Sequence, residues 1–269
     1  ASTESLFWNY WYDNGIKVAP PEKLEGERGE LQGAYVRVPT PGKHRYVCCN
    51  DFASLYPSSI ITTNISVENY MGSVLDGQFT EEELEEYRKG PNYFVSVLGS
   101  VYKNDKDYAF KVIQLNLKKE RAKSKYLSKK LDAIVMLDME HILKGSQPST
   151  TDYPENIMNA LEEIGYPGIK NSKELREITD KELFKRKLAF EISYLSSKEQ
   201  AVKILMNSMY GGTSHVAFAM FNIRLANDIT GEARNVIHLM ERSIPKWFND
   251  NWLSAKELHK KLGVVVKDE

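Results

Sequence analysis

The stretch CCNDFASLYPSSIITTNIS, residues 48–66, decides how the chain is read. An apolar run ends there on a single carboxylate, Asp51, and a serine, a tyrosine and a proline follow at once. A carboxylate removed from water must find a partner or take up a proton, so a strand interior has no use for one. Asp51 is therefore expected at a strand end, with SLYPS turning the chain beneath it. In that place it can hold a cation or accept protons while nearby backbone N–H groups face an anion. Taken alone, a strand-end or capping aspartate explains Asp51 equally well.

The bulk composition narrows the alternatives. With 269 residues and 42% apolar content, the chain can build a core for one large domain or two ordinary ones. Its 36 basic and 37 acidic side chains nearly cancel, so a nucleic-acid signal has to be local. Cys48 and Cys49 are adjacent, badly placed to bridge each other and without partners at metal-ligand spacing. They read as two small buried hydrophobes on a strand in a reducing compartment. No apolar run is long enough to span a membrane, and the opening ASTESLFWNYWYDNG lacks a secretory pattern; it reads as a cut into a longer chain. A cytoplasmic setting is expected.

Around the deciding stretch, residues 5–13 read as the end of a helix with aromatic anchors, closed by Asn14-Gly15. Residues 20–33 are turn-rich. AYVRVP and RYVCCNDF read as an antiparallel strand pair joined by PGK, and PSSIITTNI as a short helix beginning near Pro57. Thr80 and Glu83 form a capping box for a helix ending at Gly90, and YFVSVLGSVYKND alternates as a hairpin. Residues 110–140 lack Gly and Pro and carry Ile113, Leu117, Tyr126, Leu127, Leu131, Ile134 and Leu137 at helical spacing. Residues 144–180 read as a peripheral, loop-rich insertion around one helix near 155–164. A second long helix is expected from an N-cap at Ser197 to Gly211-Gly212, and a third over RLANDITGEARNVIHLMERSIPKWFNDNW within 213–253, with Gly231 inside it.

The first long helix is strongly basic: Lys111, Lys118, Lys119, Arg121, Lys123, Lys125, Lys129 and Lys130 stand against Glu120. Arg121 and Lys125 share a face, as do Lys203, Asn207 and Tyr210 on the second helix. Antiparallel packing of the two helices would set these faces opposite each other as a triphosphate cradle. The plainer readings are a solvated lysine face and a tyrosine packed beside a glycine cap.

DFASLYPSSI resembles motif A of family B DNA polymerases, Asp-x-x-Ser-Leu-Tyr-Pro-Ser-Ile-Ile, and KILMNSMYG resembles their motif B, Lys-x-x-x-Asn-Ser-x-Tyr-Gly. LQGAYVRVP, NISVENYMG and FNIRLANDITGEARNVIHLMER are similar to the replicative polymerases of T-even-type tailed phages. The resemblance implies an α+β fold: a polymerase palm, an antiparallel sheet with helices, interrupted by a helical fingers subdomain of two long antiparallel helices. Residues 1–33 would be the junction from a preceding exonuclease region, 34–108 the first part of the palm and 109–213 the fingers. Residues 214–269 would be the second part of the palm, ending before motif C.

By the same resemblance Asp51 is catalytic and binds metal together with the Phe52 carbonyl. Ser54, Leu55 and Tyr56 receive the triphosphate through backbone N–H groups, and Tyr56 is the wall that excludes a 2′-OH. Arg121, Lys125, Lys203 and Asn207 grip the phosphates, and Tyr210 packs on the nascent base pair. All are expected to meet at one nucleotide. The implied cofactor is a pair of Mg²⁺ ions; the implied partners are primer-template DNA, a dNTP and a complementary polymerase portion, with no membrane. Ser59 stands where the family has isoleucine, which weakens local packing only. Motif C, Tyr-x-Asp-Thr-Asp-Ser, does not occur in the sequence, and neither Asp268 nor Glu269 substitutes for it. The expectation is a polymerase portion inactive until motif C and a thumb are supplied. The alternatives are a degenerate module that binds DNA or nucleotide without catalysis, or another phosphoryl transferase on a similar palm.

Overall fold

The computed structural model describes residues 3–17, 31–44 and 50–263. Cys48, Cys49, most of the expected strand RYVCCNDF, the turn-rich run up to residue 30 and the final Asp268 and Glu269 lie outside the described residues. The chain divides into two compact units: one from Phe7–Lys111 with Tyr210–Glu269, the other from Val112–Met209 with Ala1–Leu6. Helices dominate, and three short strands form an antiparallel sheet, so the fold is α+β.

In the first unit, helix α1 (Thr3–Asp13) places Phe7 and Trp11 one turn apart, both buried, with the Phe7 ring 4.6 Å from that of Phe110. Gly15, at φ 63°, follows the helix as expected. The expected strand AYVRVP is not one: residues 31–40 carry no regular structure, and Val36 and Val38 are exposed. Alternation there satisfies a strand pattern without an apolar face to bury. Helix α2 (Leu55–Thr63) begins earlier than the proline suggests, because Pro57 sits in its first turn, where no N–H is needed.

Strands β1 (Tyr70–Ser73), β2 (Tyr93–Val95) and β3 (Ser100–Lys103) pair in the order β1-β3-β2, and helix α3 (Glu81–Lys89) lies between β1 and β2 in sequence. The β2–β3 hairpin matches the alternation of its sequence; β1, with its bulge between Tyr70 and Gly72, was too short and irregular to show. Thr80 and Glu83 form the expected reciprocal cap of α3. Gly99 turns the hairpin at φ 82°, and a side chain there would put its Cβ 2.6 Å from Val74 Cγ1.

A polar knot joins the end of α2 to the start of helix α4 (Ala109–Lys130). Asn64, left-handed at φ 57°, caps α2 through its N–H, donates from Nδ2 to the Lys106 carbonyl and Asn104 Oδ1, and accepts from the Tyr108 N–H. Asn69 Nδ2 donates to the carbonyls of Asn64 and Lys103. Glu68 Oε1 then accepts from the Ala109 N–H at 2.6 Å, and Ser66 Oγ from the Phe110 N–H at 3.3 Å. These satisfy two of the N–H groups that every helix start leaves over.

Helix α9 (Ile223–Asn251) packs on the sheet through a second buried network. Asp228, 1% exposed, accepts from Ser96 Oγ at 2.7 Å and from the Tyr102 hydroxyl at 2.5 Å. Burial pushes the Asp228 carboxyl above the ordinary carboxylate range, partly offset by these two donors. Gly231, tolerated inside α9 as expected, lets the helix approach the hairpin: a Cβ there would lie 3.2 Å from Val97. The helix continues through Pro245 and is followed by α10 (Lys256–Leu262).

In the second unit, α4 runs on through a π-helical turn, Leu131–Met136, into α5 (Leu137–Leu143). Leu127, Leu131, Val135, Met139 and Ile142 point into one core, whereas Tyr126 and Leu137, grouped with them by the sequence periodicity, are about half exposed. The segment read as a peripheral insertion is part of that core. Helix α6 (Glu155–Glu163) contributes Ile157 and Leu161, helix α7 (Ser172–Arg176) contributes Leu175, and Tyr153 donates from its hydroxyl to Asp138. Helix α8 runs from Lys181 to Ser214, so Ser197 is mid-helix and Gly211-Gly212 do not end it. The unbroken, glycine-free run before Ser197 carries Phe184, Leu188 and Leu195 into the same core. Among the described residues no helix is long and apolar enough to cross a membrane.

Two outcomes test the polar networks. Asn64→Ala removes donors and acceptors from the knot and forces an alanine into the left-handed region; it should cost about 3 kcal/mol in urea unfolding. Asp228 binds its proton more tightly folded than unfolded, so its share of stability is full below the unfolded pKa and declines as pH rises toward the folded one. Asp228→Asn should abolish that decline, seen as a wild-type-minus-variant stability difference that falls across the window.

Candidate functional site

The chain reverses at Ser54, a non-glycine residue with φ 56° and ψ 53°, and α2 starts on the next residue. A left-handed serine is uncommon and costs free energy, so the surrounding structure must hold it. The turn sets the backbone N–H groups of Leu55 and Tyr56 at the start of α2, where no intrahelical acceptor exists for them, and Pro57 adds none. Asp51 is exposed and Phe52 half-buried; with Asn50 they carry no regular structure, so the described part of the expected strand end is irregular chain.

The tyrosine of this turn meets a distant part of the sequence. The rings of Tyr56 and Tyr210 lie with centroids 4.9 Å apart and planes at 32°. Both belong to the first unit. Burial raises the Tyr210 phenol pKa, with Tyr56 adding to the shift, so this hydroxyl stays protonated.

Arg121, Lys125, Lys203 and Asn207 belong to the second unit, on α4 and α8. These helices pack antiparallel in a regular register. Gln114 Nε2 donates to the Met206 carbonyl at 2.8 Å, Arg121 Nε to Glu199 Oε1 at 2.6 Å, and Ser128 Oγ to the Ile192 carbonyl at 3.4 Å. Each step of seven along α4 is matched by a step of seven back along α8, the repeat of helices crossing at a small angle. Arg121 thus sits in the seam, and Glu199, only 10% exposed at its side chain, holds it there.

The remaining cations are placed by helix geometry. Lys125 follows Arg121 by four residues and Lys203 follows Glu199 by four, each a turn of about 40° away from the seam. In an antiparallel pair those two rotations go to the same flank, and Asn207, four residues on, turns further the same way. Lys125, Lys203 and Asn207 are all exposed. Lys125 and Lys203 lie about 6 Å to either side of Arg121 along the axis. One flank of the helix pair therefore presents two lysines around an anchored arginine, an arrangement suited to several phosphate charges. Glu199 and Gln114 were absent from the sequence reading. On α4 the polar residues Gln114, Arg121 and Ser128 recur every seven residues, but on α8 only Glu199 answers with a side chain, since Ile192 and Met206 accept through backbone carbonyls that the sequence does not mark.

A divalent ion of the Mg²⁺ type takes carboxylate and carbonyl oxygens, which Asp51 and Phe52 supply. Among the described residues no group of three or more His, Cys, Asp or Glu side chains could hold a metal ion, so these residues fit one edge of such an ion only.

Residues 10–139 match DNA polymerase family B. The DNA-directed DNA polymerase of Escherichia phage RB69 is 25% identical over 256 residues, covering 90% of this chain and 27% of that protein. That of Enterobacteria phage T4 is 23% identical over 249 residues, covering 85% of this chain and 25% of its own length. A DNA polymerase of Archaeoglobus fulgidus is 34% identical over 123 residues, 45% of this chain and 15% of that protein. The chain thus spans about a quarter of the length of the two phage relatives. The Ser54 turn lies inside the 10–139 stretch that matches DNA polymerase family B, and the alignments to the two phage DNA polymerases run across it and on through most of this chain.

Proposed function

We propose that this chain supplies the nucleotide-binding part of a DNA-directed DNA polymerase that joins a dNTP to a primer 3′-OH under the direction of a template strand. The observation that carries this reading is the contact between Tyr56 and Tyr210, which brings the motif A turn and the end of motif B together. In this reading residues 34–108 and 214–269 are palm and 109–213 fingers; the separate compactness of 112–209 supports that division.

In the proposed reaction the primer 3′-oxygen attacks the α-phosphorus of the dNTP, and pyrophosphate leaves as the new ester forms. Little covalent chemistry falls to the protein, so placement and charge neutralisation do most of the work. Asp51 and the Phe52 carbonyl would hold a divalent ion, which when bound neutralises phosphate charge. N–H groups of Ser54, Leu55 and Tyr56 would donate to the triphosphate tail. Arg121, Lys125, Lys203 and Asn207 would bind the same tail, with Glu199 keeping Arg121 in register. The Tyr56 ring, backed by Tyr210, would stand under the sugar and exclude a 2′-OH by bulk, while Tyr210 faces the nascent pair. The second carboxylate source, motif C, and the thumb would come from polypeptide outside these residues.

Primer extension with Mg²⁺, after mixing with a polypeptide carrying motif C and thumb, tests the reading. Asp51→Ala should lower the rate on the order of 10²- to 10³-fold, and Lys203→Ala should raise KM for dNTP by about 10- to 100-fold. Tyr56→Ala should let ribonucleotides in while leaving dNTP use largely intact. Unchanged extension by Asp51→Ala, with binding of dNTP retained, would replace catalysis by the degenerate binding module. Glu199→Ala should raise KM with little change in kcat, and Glu199→Gln, which keeps an acceptor for Arg121 Nε, should recover part of the loss.

A further inference from the structure

Helix α4 carries a second set of cations that the nucleotide site does not use. Lys119, Lys123, Tyr126 and Lys130 fall at i, i+4, i+7 and i+11, within a sector of about 60° and along about 16 Å of axis. That sector points away from Arg121 and the seam with α8, and all four residues are exposed. The Lys130 ammonium lies 5.9 Å from the centre of the Tyr126 ring.

Several cations of the described helices have a carboxylate partner within one turn. On α3, Arg88 pairs with Glu85 and Lys89 with Glu86, and at the start of α4 Lys111 pairs with Asp107. The outward sector of α4 does not: among the described residues no carboxylate lies within 4 Å of Lys119, Lys123 or Lys130. Glu120, the single acid between residues 111 and 130, is turned to another side and engaged by Lys198. A row of uncompensated cations repels itself, and an exposed tyrosine in its middle gains nothing from water.

We propose that this outward face binds single-stranded DNA. Lysines at this spacing track a phosphate backbone, and a tyrosine ring among them stacks an unpaired base; that combination serves strands whose bases are not already stacked in a duplex. The proposal rests on the polymerase reading only for its source of ligand, the unpaired template ahead of the primer.

The test is a salt titration of binding to a labelled oligothymidylate, read by fluorescence anisotropy with the full chain. Replacing Lys119, Lys123 and Lys130 together by alanine should reduce the slope of log K against log salt by about 2, at about 0.7 per phosphate contact on a single strand. The triple arginine variant should restore the slope. Tyr126→Ala should weaken oligothymidylate binding about 5- to 150-fold, Tyr126→Phe should not, and neither should affect a blunt duplex of equal length. Circular dichroism separates these effects from loss of fold. An unchanged slope, or equal losses on duplex and single strand, overturns the proposal. Binding of dNTP with Mg²⁺ by the same variants should match wild type. If wild type itself binds no dNTP, the polymerase reading falls, whereas the slope and the contrast between single strand and duplex decide the strand-binding face.

Discussion

The structure of the first unit depends on how the chain leaves α2 and enters α4 with its backbone polar groups satisfied. Both helix ends are buried around Asn64–Asn69, and an unpaired N–H there would cost about 1–3 kcal/mol. Asn64 solves the exit by adopting the left-handed conformation that asparagine tolerates better than most residues. Ser66 and Glu68 solve the entry by accepting from the first N–H groups of α4, with the carboxylate also favoured at a helix N-terminus. One short segment, NISVEN, therefore fixes the end of the motif A helix and the root of the basic helix. That is why DFASLYPSSI is followed so closely by polar residues engaged with backbone groups.

A different constraint orders the second unit. The α4–α8 seam combines apolar contacts with three polar contacts at regular intervals, and the middle one is an ion pair shielded from water. Such a pair adds little net stability against an apolar substitute, yet removing one partner is costly. Its better use is register. A slip of one residue by either helix would rotate its own lysine, Lys125 or Lys203, by about 100° and take it off the shared flank. Glu199 thus acts on the cations that would meet phosphate without touching it.

Much of this was legible in the sequence. The capping box of α3, the β2–β3 hairpin and the continuous helix after residue 110 follow from local chemistry, and the structure contains them. What failed depended on tertiary context. AYVRVP alternates but has no sheet to join among the described residues, while β1 is too short to alternate and exists because β3 offers it an edge. Residues 144–180 look loop-rich from their prolines and glycines, yet Ile157, Leu161 and Leu175 are anchored by a core supplied from α4, α5 and α8. Ser54 and Tyr56 were singled out by the motif they belong to, and the structure places them at a left-handed turn and the helix start that follows it. The pairing of Tyr56 with Tyr210, and of Arg121 with Glu199, required coordinates because each partner lies on a different element.

The charge pattern explains how a nearly neutral chain can serve polyanions. Thirty-seven acidic residues offset 36 basic ones, so long-range attraction to DNA is weak. Several acids cap or pair close to home: Glu83, Glu85 and Glu86 in α3 and Glu68 in the Asn64–Asn69 knot. On α4 Lys111 and Arg121 are paired, and the other cations divide by helical angle into a flank beside Arg121 and an outward row around Tyr126. At physiological ionic strength the Debye length is about 8 Å, comparable to the width of one helix, so the two faces act as separate electrostatic surfaces. In the proposed reading a single helix would present one anion-binding face of fixed register, held by Glu199, and another whose only demand is a flexible strand of phosphates.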